Sequence, residues 1–138
     1  MLLELILDGF GNEEDYNCAE KLLYGANKAY NMNLSPEALK LAGGFGGGMY
    51  VADKCGAVTA SIMVISYFTN DSVAHQSPRL GGLVKEFQTK YTAKNGTTIC
   101  EPLKAEYKTE EVGCLHIIAD AARILDEIVV REKLCQEL

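Results

Sequence analysis

Five cysteines are the residues of this chain best suited to chemistry. They are Cys18, Cys55, Cys100, Cys114 and Cys135. A cysteine thiolate is both a nucleophile and a soft metal ligand, so the set favours thiol redox chemistry, an iron–sulfur cluster or a zinc site. For each cysteine taken alone, burial as a small apolar residue is the alternative. No two of them form a Cys-x-x-Cys pair, so thiols that act together must be gathered by the fold.

Two of these thiols fall at well-marked helix starts. Cys18 follows Asn17, and the spacing of Asn17 from Glu20 is that of a capping box. Cys55 follows Asp53, which we expect to cap the next helix. The unpaired N–H groups and the dipole at a helix start favour a thiolate, so both positions suit a reactive or metal-binding sulfur.

Cys100 and Cys114 lie before the last predicted helix and near its start, respectively. Cys114 falls near its start, and an apolar stripe runs from there to about Val129. Residues 97–111 show no clear period and predict an irregular segment, which contains Cys100. Three of the five thiols are thus expected at helix starts.

The most unusual segment is the glycine run Gly43-Gly44-Phe45-Gly46-Gly47-Gly48-Met49. Nucleotide binding is disfavoured, because the G-x-G-x-x-G register breaks at Met49 and no Gly-Lys-Ser/Thr follows. Successive N–H groups in such a loop can form an anion nest, which would suit thiolates or the sulfides of a cluster. A tight loop between two closely packed helices is the alternative.

The hydrophobic pattern predicts an all-α fold, with one domain over residues 1–138 and a compact bundle of five or six helices. Ser35-Pro36-Glu37 and Ser77-Pro78 mark two helix starts, and Asn95-Gly96 marks a helix end. The stretch from Asp53 to about Thr69 is apolar on nearly all sides, so we expect it to be the buried central helix.

The composition excludes some functions and favours a compartment. The chain has 138 residues, 48% of them hydrophobic, and a formal charge of -6, which argues against nucleic acid and anionic lipid as partners. No basic leader and no apolar stretch of membrane-spanning length occur, so we expect no membrane insertion and a cytoplasmic protein with reduced thiols. The amphipathic stretch from Leu2 to Phe10 could pack on its own domain or on a second subunit of a homodimer.

The ordered cysteines resemble a family of redox-active proteins named for their cysteine signature. An early cysteine in Tyr16-Asn17-Cys18-Ala19 is followed by a Cys-Gly-Ala-x-x-Gly box, here Cys55-Gly56-Ala57-Val58-Thr59-Ala60. Ile99-Cys100 and Gly113-Cys114 resemble the two later cysteines, and the similarity extends to about Ile128.

Three further features bear on this resemblance. Gly44-Phe45-Gly46-Gly47-Gly48-Met49 is similar to the family's glycine loop. Ala60 stands where the signature has glycine, so close packing could survive there but a glycine-only backbone geometry could not. Cys135 lies outside the pattern, and we expect it to take no part.

The resemblance implies redox activity without naming a substrate or a redox partner protein. Its first interpretation is an electron carrier that holds a [2Fe–2S] or [4Fe–4S] cluster on four thiolates. A second is a metal-free thiol–disulfide oxidoreductase with Cys55 as the attacking thiolate, and a third is a zinc-stabilised, non-catalytic interaction module. The implied catalytic or metal-binding residues are Cys18, Cys55, Cys100 and Cys114, and the implied cofactor-binding glycines are Gly44, Gly46, Gly47, Gly48 and Gly56.

Overall fold

The computed structural model describes residues 1–135, and this part of the chain is helical without β-strands. The seven α-helices are α1 (Leu2–Leu7), α2 (Cys18–Ala29), α3 (Pro36–Leu39), α4 (Gly56–Thr69), α5 (Leu80–Asn95), α6 (Cys100–Tyr107) and α7 (Leu115–Arg131). Short 3₁₀-helices cover Lys40–Phe45 and Ala74–Gln76. The predicted all-α class is confirmed, with seven α-helices in the described residues where five or six were expected.

The helix starts at Asn17 and Ser35 formed as predicted, whereas α5 begins at Leu80, just after the predicted start at Ser77-Pro78. Asn17 accepts a hydrogen bond from the backbone N–H of Glu20 at 3.0 Å, and the Glu20 carboxylate accepts one from the Asn17 N–H at 2.9 Å. Ser35 caps α3 through a bond from the Ala38 N–H at 3.1 Å. These bonds satisfy N–H groups that a helix start would otherwise leave unpaired.

Two local predictions were wrong. Asp53 does not cap the central helix; α4 begins at Gly56, and its cap position is taken by Cys55 without a side-chain hydrogen bond. The segment expected to be irregular contains α6, whose first turn holds Glu101 and Pro102. An acid and a proline are both favourable there, because the first turn has a positive dipole and no N–H partners to lose.

The central helix α4 forms the core, packing against α2, α5 and α7. Ala57, Val58, Ala60, Val64 and Ile65 on this helix are completely shielded from solvent. The other helices therefore present their apolar faces to α4, as predicted from its nearly uniform hydrophobicity.

The N-terminal helix α1 packs on its own domain, against α7 and α2. The carboxylate of Asp126 on α7 accepts the N–H groups of Leu2 and Leu3 at 3.1 and 3.0 Å and the hydroxyl of Tyr30 at 2.6 Å. This acid therefore satisfies the first N–H groups of α1 from another helix. Within residues 1–135, no helix combines the length and apolar character needed to cross a membrane.

Candidate functional site

A short antiparallel pairing, centred on Lys54 and Ile99, brings the segments that carry Cys55 and Cys100 together. The N–H of Cys55 donates to the carbonyl oxygen of Thr98 at 2.8 Å, and the N–H of Cys100 donates to that of Asp53 at 2.6 Å. Because Cys55 caps α4 and Cys100 is the first residue of α6, the pairing holds two helix starts side by side.

The sulfur of Cys18 lies against Gly56, the first residue of α4 and the chain neighbour of Cys55. A β-carbon built on Gly56 would lie 2.6 Å from that sulfur and 2.7 Å from the carbonyl oxygen of Phe45. Such distances leave no room for a side chain, so glycine is required for the close approach of α2, α4 and the glycine segment.

Cys114 takes the cap position of α7 at the end of a small hairpin-like turn. Thr109 and Gly113 exchange backbone hydrogen bonds at 2.8 and 3.2 Å, and Gly113 has a φ of 58°. The turn joins α6 to α7 and so connects the positions of the two later cysteines.

Cys18 lies at the centre of the group. Besides burial, the charge of its thiolate raises the pKa of Cys55, that of Cys100 and that of Cys114, and the charge of Cys100 also raises the pKa of Cys114. Cys135 does not take part: its thiol donates a hydrogen bond to the carbonyl oxygen of Tyr30 at 3.1 Å. The fold thus gathers four thiols from distant positions.

Burial raises the pKa of three of the four gathered thiols. Cys55 is 3% exposed, and burial raises its pKa to about 12 despite N–H groups of Ala57 and Val58 that favour its thiolate. Burial also raises the pKa of Cys100 and that of Cys114, against the opposing charges of nearby lysines. In the folded protein Cys55 is therefore a neutral thiol at physiological pH.

An open cavity of about 230 Å³ gives solvent access to two of the thiols, Cys18 and Cys114. Lys21, Lys104 and Lys108 also line it, and no carboxylate does. Cys18 and Cys114 are half-buried, in contrast to the buried Cys55 and Cys100.

The glycine segment closes the site with a left-handed turn. Gly47, Gly48, Met49 and Tyr50 have φ values of 59°, 63°, 61° and 64° in succession. The two non-glycine residues in this conformation carry a local strain of roughly 1–2 kcal/mol each. The turn is fixed by a hydrogen bond of 3.0 Å from the N–H of Asp53 to the carbonyl oxygen of Gly48.

Four of the five candidate glycines contact this region. A β-carbon on Gly48 would lie 2.8 Å from that of Cys100, Gly46 packs against the Asn17 side chain, and Gly47 lines the cavity. Gly56 touches the sulfur of Cys18 as described, but Gly44 is exposed with no atom within 4 Å of its β-position.

Asn17 connects the glycine segment to the first cysteine. Besides capping α2, its side-chain amide donates to the carbonyl oxygen of Gly43 at 3.1 Å. One residue therefore fixes the start of the Cys18 helix and the path of the loop that covers the site.

Four thiols are a suitable donor set for zinc or an iron–sulfur cluster. Across residues 1–135, however, no three Cys, His, Asp or Glu side chains are arranged so that they could hold a metal ion. The donors fit such a group by chemistry, whereas their present arrangement does not form a ready ligand set.

The arrangement of the cysteines agrees with a family comparison. A family model described as "Putative redox-active protein (C_GCAxxG_C_C)" matches residues 16–128. The chain belongs to this family. The matched part of the C_GCAxxG_C_C protein contains all four gathered cysteines and the glycine segment. Searches of curated proteins and of solved structures each found no match.

The alanine in the C_GCAxxG_C_C signature box is explained by the backbone. Ala60 is fully buried within the continuous helix α4, and its φ is not positive. The position therefore requires a small side chain, but no geometry that only glycine can adopt.

Sequence reasoning missed the three lysines beside the thiols. Cys100 and Lys104 lie four residues apart on α6, and Lys108 follows four residues later at the C-terminal cap of this helix. This spacing indicates neighbouring positions only on a helix, and the sequence predicts an irregular segment over residues 97–111.

Proposed function

We propose that this protein is a thiol redox protein in which Cys18 and Cys114 exchange electrons with a substrate. The observation that carries the proposal is the shared cavity, which exposes these two thiols of a four-thiol group. Cys18, the first residue of the twelve-residue helix α2, is the attacking thiol, because its half-buried sulfur can be reached from the cavity. Cys114 is the second thiol, which resolves the mixed disulfide.

The buried pair has a different role in this proposal. The neutral state and shielding of Cys55 make it a poor nucleophile, so Cys18 replaces it as the proposed attacking residue. Cys55 and Cys100 supply a second pair of thiols, held at adjacent helix starts, that can pass electrons on to Cys18 by disulfide exchange.

An iron–sulfur cluster on the four cysteines is the second candidate. The left-handed turn of residues 47–50 favours it, because successive N–H groups in such a conformation can face an anionic group. When bound, a cluster would supply one-electron transfer. Cys18, Cys55, Cys100 and Cys114 would hold it, after moving into a ligand arrangement that the described side chains do not have. A zinc site on the same residues requires a similar movement.

The deciding experiment measures iron, zinc, acid-labile sulfide and the absorption spectrum of protein purified without oxygen. In parallel, free thiols are counted in denaturant before and after treatment with a mild disulfide oxidant. We expect no stoichiometric metal and a reversible loss of two or four thiols. Iron with matching sulfide would replace this proposal by the cluster, and zinc without colour would replace it by the structural site.

Single substitutions then assign the thiols. Cys18→Ser and Cys114→Ser should each abolish the rapid, reversible formation of an intramolecular disulfide. Cys135→Ser is the matched control, because this half-buried thiol bonds to Tyr30 away from the group. Equal damage from Cys135→Ser would contradict the assignment.

A further inference from the structure

The cavity beside Cys18 and Cys114 has a charge opposite to that of the protein. The whole chain carries a formal charge of -6. The ionisable residues that line the cavity, apart from the thiols and one tyrosine, are Lys21, Lys104 and Lys108. A cationic pocket in an acidic protein concentrates anions locally, since nearby charges dominate the field inside a recess.

The lysines are positioned to act on the chemistry as well as on binding. The charges of Lys104 and Lys108 reach both Cys100 and Cys114, where they favour the thiolate against the effect of burial. Lys21 is anchored by a bond of 2.7 Å from its ammonium group to the Asn12 side chain. One wall of the cavity comes from α6 and its C-terminal end, and another from α2.

We propose that this cavity selects small anionic disulfides, such as those bearing carboxylates, as the oxidising substrates of the thiol pair. This inference rests on the proposed thiol exchange and specifies its substrate class. The ammonium groups bind the carboxylates and place the S–S bond next to Cys18. The volume of about 230 Å³ has room for a compact aliphatic molecule.

The reaction balances with the two cavity thiols and one disulfide RS–SR. The Cys18 thiolate attacks one substrate sulfur, forming a Cys18–S–S–R bond and releasing RS⁻. The Cys114 thiolate then attacks the Cys18 sulfur, forming the Cys18–Cys114 disulfide and releasing a second RS⁻. Two electrons pass from the protein to the substrate, and the two thiol protons end on the two RSH products.

The test uses three aliphatic disulfides of similar size and different charge. They are dianionic 3,3′-dithiodipropionate, neutral 2-hydroxyethyl disulfide and dicationic cystamine. Second-order rate constants are measured for oxidation of the full-length protein and of a simple reference thiol. The ammonium-bearing thiol is intrinsically the better leaving group, so intrinsic reactivity alone would make the dication react faster than the dianion.

We expect the protein to favour the dianion over the dication by roughly tenfold or more, relative to the reference thiol. Added salt should reduce that preference, because it screens the ammonium groups. The double variant Lys104→Gln/Lys108→Gln should remove most of the preference. The control Lys28→Gln/Lys40→Gln changes the net charge equally at two exposed positions outside the cavity, and it should keep the preference.

The outcomes separate this inference from the proposal on which it rests. Oxidation by the neutral disulfide without any charge preference would overturn the anion selectivity alone. Equal effects of the two double variants would also overturn it. Failure of all three disulfides to form the Cys18–Cys114 bond would overturn the proposed thiol exchange, and the anionic substrate class with it.

Discussion

Gly56 lies directly against the sulfur of Cys18, at a distance that excludes any side chain. Its missing β-carbon would be 2.6 Å from the sulfur. The contact joins the start of α4 to the start of α2. The glycine of the signature box therefore limits where the sulfur of Cys18 can lie.

Substitution of this glycine should therefore damage both stability and the thiol site. We expect Gly56→Ala to lower the free energy of unfolding by about 1–3 kcal/mol, as overpacking does in a buried site. It should also change the reaction rate of Cys18 with a thiol reagent. Gly44→Ala is the control, since nothing lies within 4 Å of its β-position. Urea denaturation and thiol kinetics measure both effects, and equal behaviour of the two variants would contradict the contact.

Asn17 should matter for the site beyond its capping role. Asn17→Ala removes the cap of α2 and the bond to the carbonyl oxygen of Gly43, so a loss of about 1–2 kcal/mol is expected. Ser35→Ala removes a comparable cap on α3. Only the Asn17 variant should raise the exposure of the gathered thiols, measured by their alkylation rates. A similar rise in the Ser35 variant would show that general destabilisation is sufficient.

Ionisation of the buried Cys55 thiol should lower the free energy of unfolding at alkaline pH. Its pKa rises from an ordinary value of 9.0 to about 12 on folding, so the folded state holds this proton more tightly than the unfolded state. The associated stability is complete below pH 9 and is lost between about pH 9 and pH 12. Unfolding curves measured from pH 8 to pH 10.5 should show a downward slope approaching about 1.4 kcal/mol per pH unit from this group.

The Cys55→Ala variant isolates that contribution. Burial also raises the pKa of Tyr30 and that of Tyr91, so part of the alkaline loss persists in the variant. The wild-type protein should nevertheless lose stability more steeply above pH 9 than Cys55→Ala. Parallel curves would mean that the Cys55 proton is not held by burial.

Protonation of an ion pair between α5 and α7 should separately lower the free energy of unfolding at acid pH. Arg131 donates two hydrogen bonds to the Glu86 carboxylate, at 2.6 and 2.8 Å, and these lower the Glu86 pKa to about 2. This stabilisation is present above the ordinary value of 4.5 and is lost as the pH falls towards 2. Because both side chains are partly exposed, we expect only about 0.5–1 kcal/mol.

Glu86→Gln tests this pair. The variant should be less stable than the wild-type protein at pH 6, and the two should converge near pH 2 in denaturant titrations. Glu106→Gln, at an exposed position on α6, should remain parallel to the wild-type protein. A constant difference between Glu86→Gln and wild type at all pH values would contradict the assigned pKa.

Local chemistry made part of this fold predictable. The starts of α2 and α3 follow from Asn17 and Ser35, whose side chains bond within their own first turns. The all-α class and the buried position of α4 follow from hydrophobic periodicity. Such signals need only a few neighbouring residues, so they can be read without knowledge of tertiary contacts.

The less predictable parts depend on contacts between distant segments. Met49 and Tyr50 adopt positive φ values that their residue types do not favour, and the surrounding hydrogen bonds hold them there. The pairing of residues 53–55 with residues 98–100 brings the start of α6, with Cys100, next to the start of α4, although residues 97–99 alone are too short to indicate a strand. The cationic cavity likewise combines Lys21 from α2 with Lys104 from α6.

The wide spacing of the four cysteines along the chain has a consequence during protein synthesis. Cys18 and Cys55 leave the ribosome well before Cys114, the last member of the group, has been made. Until α7 forms, the early thiols have no complete site, and any disulfide between them would precede the native arrangement. Oxidation of the Cys18–Cys114 pair would therefore report that the first and last members of the group have both been made and have come together.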